Sequence, residues 1–170
     1  NDCLPLFNGA TSLNLSQVER YLENFKSNNK NNNLGGLFKI KHKNHFVIID
    51  IDKPPQKKFS RSYQSGPLSF EYFLDGTKII TNSGFGSHIS KKAELLSRLT
   101  ACQSTLTINE TSITKFEKNE MINKVFGNSI QNSFKSFDVS FKNEKDFVGC
   151  SASNNGYERK FGCTPKEKYI

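Results

Sequence analysis

Few side chains in this sequence of 170 residues could move a proton near neutral pH, and three of them are histidines. His42 and His45 enclose Lys43-Asn44, which fits a solvated hairpin turn better than the weak metal chelate that an i, i+3 pair could form. His88 ends the glycine-marked stretch 84–88, and such loops are adaptable enough to form the rim of a site. We therefore treat His88 as a candidate binding residue.

The cysteines do not indicate a zinc site. Cys3, Cys102, Cys150 and Cys163 form no CxxC pair and have no neighbouring histidine in the sequence. A Cys150–Cys163 disulfide in an oxidising compartment and buried free thiols are both open interpretations. The sequence also has no phosphate-binding glycine loop, no GxSxG motif and no evident pair of carboxylates for glycoside hydrolysis. Several common enzyme classes thereby lose support.

The elements that would position functional residues are mostly strands. Apolar residues recur at helical spacing over Leu13–Phe25, which predicts one short N-terminal helix, and Lys91–Leu99 fits a short helix or a turn. Asp75-Gly76 is typical of a hairpin turn. Alternating or short apolar runs predict seven strands: Leu37–Lys41, Phe46–Ile51, Leu68–Leu74, Lys78–Thr81, Ser104–Ile108, Ser136–Phe141 and Phe147–Ser151. We expect a mostly β fold, an antiparallel β-sandwich, as a single domain over residues 1–170.

The formal net charge is +8 and the sequence pI is about 9.3, a balance that favours polyanionic partners. The lysines are scattered, however. The Asn- and Lys-rich stretch Ser27–Asn33 also fits a general enrichment of the sequence in Asn and Lys, and not a localised basic patch. No dense basic run with interleaved aromatic residues occurs, which argues against nucleic-acid binding. No window approaches the roughly 18 apolar residues of a membrane helix, and residues 1–5 lack the features of a signal peptide.

Several segments resemble, in chain order, motifs of the heparinase II/III-like family. Residues 66–76 (GPLSFEYFLDG) resemble the family's LSFE strand and Asp-Gly hairpin. Residues 79–84 (IITNSG) resemble its next strand, which ends in Asp or Asn before Gly, and residues 99–106 (LTACQSTL) resemble its T-A-x-H turn and strand. Residues 153–162 (SNNGYERKFG) are similar to a segment of the bacterial branch. The resemblance thus covers nearly the whole chain.

The resemblance implies a fold and an activity. Members of this kind pair an N-terminal α/α toroid with a C-terminal β-sandwich, so the chain would be the sandwich of a larger protein. The family's lyases cleave uronic-acid-containing glycans by β-elimination, which implies an acidic polysaccharide as partner and, for the bacterial branch, a periplasmic or cell-envelope location. This reaction needs a group that neutralises the uronate carboxylate, a base for the C5 proton and an acid for the leaving oxygen.

Amides occupy the positions where the resemblance places a metal-binding or catalytic set. Where the family has His, Asp, His and a further His, this chain has Gln64, Asn82, Gln103 and Asn154. None of the four is a good zinc ligand, and no amide acts as a base near neutral pH. We therefore expect no cofactor. The four residues keep their hydrogen-bonding ability, which fits a polar pocket that lost its titratable groups, and drift of an unused site is the alternative.

Two tyrosines could still carry a proton. Tyr63 lies beside Gln64, and the positive charge of Arg61 would lower the pKa of its hydroxyl, although Tyr63 also fits an ordinary strand-edge aromatic. We predict Tyr63 and Gln64 as catalytic residues. The predicted substrate-binding residues are Gln64, Asn82, Gln103, Asn154, Tyr157 and His88. Two alternatives are that the toroid supplies the base, and that the chain is a non-catalytic glycan-binding or structural module that kept the lyase fold.

Overall fold

The computed structural model describes residues 5–10, 33–131, 137–144, 147–154 and 157–163, which form two antiparallel sheets. The first sheet has five strands in chain order, β1 (Asn33–Leu34), β2 (Leu37–His42), β3 (His45–Asp50), β4 (Phe70–Leu74) and β5 (Thr77–Ile80). The second has three, β6 (Phe137–Glu144), β7 (Phe147–Asn154) and β8 (Tyr157–Cys163). The expectation of a mostly β, antiparallel fold is confirmed, and six of the seven predicted strands are present.

Two short α-helices connect the sheets, α1 (Lys91–Ser97) and α2 (Glu120–Phe126). The helical alternative for Lys91–Leu99 is thus confirmed, whereas α2 was not predicted. The side chain of Asn119 caps α2 by accepting from the backbone N–H of Met121 at 2.9 Å. The predicted helix Leu13–Phe25 lies outside the described residues. No helix within the described ranges is long and apolar enough to cross a membrane.

Two tight turns set the register of the first sheet. Asp75 and Gly76 both have positive φ (49° and 74°) between β4 and β5, as a type I′ hairpin turn requires. Lys43 also has positive φ (51°), and His42 pairs directly with His45 across the β2–β3 hairpin. The Asp-Gly turn and the placement of the two histidines at a hairpin are therefore confirmed.

The predicted strand over Ser104–Ile108 is wrong. The backbone N–H of Ser104 donates to Asn82 Oδ1 at 3.0 Å. Its side-chain hydroxyl contacts the same oxygen and bonds the N–H and carbonyl of Phe70 in β4, so side chains and not a backbone ladder make these contacts. The chain then reverses at Ile108–Thr111, where Asn109 and Glu110 both have positive φ. An apolar run therefore becomes an irregular connection, because side-chain partners and a tight turn satisfy its backbone.

The core lies on one face of the first sheet. Strand alternation directs Phe38 and Ile40 of β2 and Ile49 of β3 to this face, where they form a buried cluster with Ile51. Val47, Phe70 and Phe161 pack against this cluster. The burial of branched and aromatic side chains here is the main apolar contribution to stability.

Strand β8 joins the second sheet to this core. The rings of Phe161 and Phe70 have centroids 5.6 Å apart. Arg159, two residues earlier in β8, donates from Nη1 to the carbonyl oxygen of Leu68 at 3.0 Å, and its guanidinium lies 5.6 Å from the Phe70 centroid. The two sheets are therefore held by an aromatic contact and by an arginine that satisfies loop carbonyls, which gives a sandwich.

The burial pattern of the first sheet predicts that two of its isoleucines differ in their contribution to the free energy of unfolding. Ile49 has no exposed surface and Ile79 is 54% exposed. We expect Ile49→Ala to lower the free energy of unfolding by about 2–5 kcal/mol because it leaves a cavity, and Ile79→Ala to change it by roughly 0.5 kcal/mol. Urea denaturation of both variants tests this, and equal losses would contradict the placement of the core.

Candidate functional site

Gln64 and Gln103, two of the predicted site residues, converge on one backbone carbonyl. The amide Nε2 of Gln64 donates to the carbonyl oxygen of Ser97 at 3.0 Å and to that of Gly84 at 2.9 Å. Gln103 Nε2 donates to the same Ser97 oxygen at 2.7 Å. Both glutamines are buried, Gln64 with 1% of its surface exposed. The sequence prediction that these residues lie together is consistent with this arrangement.

Helix α1 explains why this carbonyl is available. The helix begins after Ser90, whose hydroxyl accepts from the N–H of Ala93 at 3.0 Å, and it ends at Ser97. The last carbonyls of a helix have no partner in the helix itself. Gln64 reaches the Ser97 carbonyl from the loop before β4, and Gln103 follows the 3-10 turn Thr100–Cys102. Two loops therefore satisfy one helix end.

Close backbone packing sets the position of Gln103. A Cβ atom built on Gly66 would lie 2.8 Å from Gln103 Cγ and 3.1 Å from the hydroxyl of Ser69. Only a glycine lets the loop before β4 approach this closely without a shift. Gly66 is thus part of the support of the glutamine pair.

Asn82, the third predicted residue, joins the same region through Ser104, the neighbour of Gln103. Its Oδ1 accepts both bonds from Ser104, and its own backbone N–H donates to Glu71 Oε1 at 3.2 Å. The Nδ2 atom is buried and has no hydrogen-bond partner among the described residues. Glu71 is fully buried, and its other oxygen lies 3.1 Å from Lys78 Nζ. Asn82 is therefore packed beside a buried ion pair.

The N-terminal segment 5–10 is tied to this buried polar layer. Gly9 N–H donates to Gln64 Oε1 at 3.0 Å, and Asn8 Nδ2 donates to Asp50 Oδ2 at 2.8 Å. Burial raises the pKa of Asp50 to about 6, against the lowering effect of hydrogen bonds from the Asp52 N–H and from Asn8. The side chains of β3 and of the loop before β4 thus hold a segment distant in sequence.

Tyr63, predicted as a catalytic residue, is almost fully buried, with 4% of its surface exposed. Its carbonyl oxygen accepts from Arg98 Nε at 2.8 Å, and Arg98 Nη2 donates to the carbonyl of Ser60 at 2.8 Å. The Arg98 guanidinium lies 4.2 Å from the centroid of the Phe116 ring. Burial lowers the pKa of Arg98 to about 10, so it stays charged at neutral pH. Sequence reasoning missed Arg98, because its partners are backbone carbonyls that leave no motif.

His88 lies on the wall of a cleft of about 420 Å³ that borders the glutamine pair. The wall also includes Gly84 and Ser97, whose carbonyls accept from Gln64, and the free thiol of Cys102. The side chain of His88 is exposed, and those of the glutamines lie behind the wall. Of the predicted residues whose side chains the structure describes, His88 is thus the one placed in a solvent-accessible cleft.

Asn154 and Tyr157 lie elsewhere in the fold. They end β7 and begin β8 and pair with each other in register. Their side chains lie outside the described part of the structure, and no described contact joins them to the glutamine pair. Cys150 pairs in register with Phe161, and Cys163 pairs with Val148. No described contact tests the Cys150–Cys163 disulfide, which stays a prediction.

A metal that the resemblance implies does not fit the amide cluster. Gln64 already donates two hydrogen bonds from Nε2, and its Oε1 accepts from Gly9. A divalent cation needs lone pairs directed at it, whereas these amides direct N–H groups at the Ser97 oxygen. Within the described ranges, no group of three or more His, Cys, Asp or Glu side chains is arranged to hold a metal ion.

Comparison with known proteins gives a family and a fold. A family model described as "Heparinase II/III-like, C-terminal" matches residues 26–165. Heparan sulfate lyase HepC from Pedobacter heparinus matches with a TM-score of 0.60 and 15% identity over 94% of this chain. A structure of Heparinase III matches with a TM-score of 0.61 and 14% identity over 95% of this chain. At these identities the likeness shows the fold alone.

These solved structures are much longer than the chain, which spans 27% of the HepC structure and 28% of the Heparinase III structure. No curated protein sequence matches the chain.

The buried carboxyl of Asp50 predicts a specific pH dependence. Burial raises the pKa of Asp50 from its ordinary value of 3.8 to about 6 in the folded state, so the folded state binds its proton more tightly. The free energy of unfolding should therefore fall as pH rises between these values, by up to about 3 kcal/mol, and level off above them. Asp50→Asn should remove this component. Denaturation across a pH series tests it, with the exposed Asp75→Asn as matched control, and identical pH profiles for Asp50→Asn and wild type would contradict it.

Proposed function

The chain belongs to the heparinase II/III-like C-terminal family, and from this membership we propose that it is the glycan-facing β-sandwich of a larger polysaccharide lyase. The substrate class is an acidic, uronic-acid-containing glycan, which a net charge of +8 would attract. The other part of the protein, an upstream helical toroid, would form the opposite wall. The bacterial periplasm or cell envelope is the proposed location.

The observation that carries this proposal is the cleft beside helix α1. Its backbone wall is fixed by buried Gln64, and His88 lies on it with an exposed imidazole. A preformed concave surface with a titratable group is the usual form of a binding site. The glycine at 86 lets the wall pack closely against helix α1, since a Cβ on Gly86 would lie 2.7 Å from the Ala93 carbonyl oxygen.

β-Elimination needs a group that neutralises the uronate carboxylate, a base and an acid. A base removes the C5 proton, the resulting electron pair forms the C4–C5 double bond, and an acid protonates the departing oxygen. In the cleft, His88 is a suitable proton carrier, and we propose it for one of these two steps. Tyr63 and Gln64 would contribute to the reaction by positioning the wall of the cleft. Both residues are buried, and Gln64 uses its amide in internal hydrogen bonds. The remaining groups would come from the toroid.

A second candidate function is a non-catalytic glycan-binding or structural module. Its specific support is that the amides at the family's site positions serve internal contacts. Gln64 and Gln103 satisfy Ser97, and Asn82 satisfies Ser104. In this case the chain would bind acidic glycan through its cleft and its lysines without turning it over.

A turnover assay on the longest natural form of the protein distinguishes the two proposed functions. We expect it to form unsaturated uronate product, detected by ultraviolet absorbance, from heparan sulfate, alginate or a related glycan. His88→Ala should lower turnover by about 10²-fold, the usual size of a general acid–base contribution, while His42→Ala, in the β2–β3 hairpin, should leave turnover unchanged. Binding without product would favour the module, and full turnover by His88→Ala would remove His88 from the mechanism.

A further inference from the structure

We propose that Gln64, Gln103 and Asn82 form a metal-independent crosslink, which replaces a metal centre as the device that holds these loops together. This inference concerns folding and does not rest on the proposed activity. Asn82 adds its link through Ser104, the neighbour of Gln103, whose N–H donates to Asn82 Oδ1 at 3.0 Å. The bonds of the two glutamines join five separate segments of the chain. They contribute Gly9, Gln64, Gly84, Ser97 and Gln103.

The orientation of the Gln64 amide is dictated by its partners. Its Oε1 faces the N–H of Gly9, which can only donate, and its Nε2 faces the carbonyls of Gly84 and Ser97, which can only accept. The flipped amide would place oxygen against two carbonyl oxygens and hydrogen against a donor. The hydrogen-bond pattern therefore assigns the two ends of the amide without ambiguity.

Gln103 obeys the same constraint. Its Nε2 lies 2.7 Å from the Ser97 oxygen, a distance at which a second oxygen would be repelled. The two glutamines together supply two N–H donors to one carbonyl, which uses both of its lone pairs. A cation at this centre would meet amide hydrogens and no free lone pair from these atoms. The centre is thus closed by hydrogen bonds.

Asn82, the third residue of the crosslink, is neutral at a position where burying a carboxylate would cost free energy. The backbone N–H of Asn82 contacts Glu71, a fully buried carboxylate that is paired with Lys78 at 3.1 Å. A second buried carboxylate next to this pair would lack a counter-charge unless a cation supplied one. An amide at position 82 therefore suits a site without metal, and a carboxylate there suits a site with one.

The first test changes one atom of the crosslink. Gln64→Glu keeps the acceptor for Gly9 but loses both hydrogens that satisfy Ser97 and Gly84. We expect the Tm to fall by at least roughly 2–4 °C near neutral pH, the usual shift for a loss of about 1 kcal/mol in a chain of this size. Part of the loss should return at low pH, because a protonated carboxyl regains one donor. Gln56→Glu, the same change at an exposed residue, is the matched control.

The second test measures metal dependence directly. The Tm of the wild-type protein should be the same with zinc and with EDTA, and the purified protein should hold far less than one equivalent of metal. The triple variant Gln64→His, Asn82→Asp, Gln103→His, refolded with zinc, should bind zinc and lose several degrees of Tm in EDTA.

Three outcomes would overturn the proposal. The first is a wild-type protein that loses stability in EDTA or purifies with stoichiometric metal. The second is a Gln64→Glu variant as stable as Gln56→Glu, which would show that the hydrogen bonds contribute nothing. The third is a triple variant whose Tm does not respond to zinc, which would show that these positions are not equivalent to a metal set.

Discussion

The irregular half of this domain depends on one carbonyl group, that of Ser97 at the end of helix α1. Two buried glutamine amides from different loops donate to it, at 3.0 and 2.7 Å. A buried carbonyl without a partner would cost free energy comparable to a lost hydrogen bond, so the loops and the helix end stabilise each other. The position of Gln64 then determines where the N-terminal segment 5–10 lies, because Gly9 binds the same side chain. The cleft that carries His88 is a consequence, since two of the residues in its wall, Gly84 and Ser97, belong to this network.

Buried charged residues around this network also hydrogen-bond to groups of the irregular segments. Asp50 and Glu71 lie on the face of the first sheet opposite the apolar core and accept bonds from the N-terminal segment. Arg98 donates to the carbonyls of Ser60 and Tyr63, which lie in the loop before β4. Each of these charges satisfies backbone groups that no helix or strand pairs. The apolar face thus supplies most of the burial energy, and the polar face gives the irregular loops a defined conformation.

Sequence reasoning captured the regular part of the fold. Alternating or apolar runs and the Asp75-Gly76 turn were sufficient to predict β2 to β5 of the first sheet, because strand period and turn chemistry are local properties, whereas the two-residue β1 was not predicted. The run at Ser104–Ile108 was misassigned because its hydrogen-bond partner is the side chain of Asn82, which local pattern does not reveal. Helix α2 carried a readable signal in Asn119 and Gly127 that was missed.

The candidate site was predictable only in part. Family resemblance indicated that Gln64, Asn82 and Gln103 belong together, and the contacts through Ser97 and Ser104 are consistent with it. Their hydrogen-bond partners are backbone carbonyls and N–H groups. Because these groups occur throughout the chain, the residue types in the sequence do not identify which of them are the partners. For the same reason Arg98 and the hold on segment 5–10 could not be derived from spacing.

The position of the loops around helix α1 rests on glutamine amides that stay engaged in a metal-free hydrogen-bond network. Side-chain amide hydrogen exchange, followed by NMR in the full-length protein, measures this most directly. We expect the NH₂ groups of Gln64 and Gln103 to exchange orders of magnitude more slowly than that of exposed Gln56, and neither zinc nor EDTA to change their exchange rates or chemical shifts. Exchange as fast as at Gln56, or a shift of these signals on addition of zinc, would contradict it.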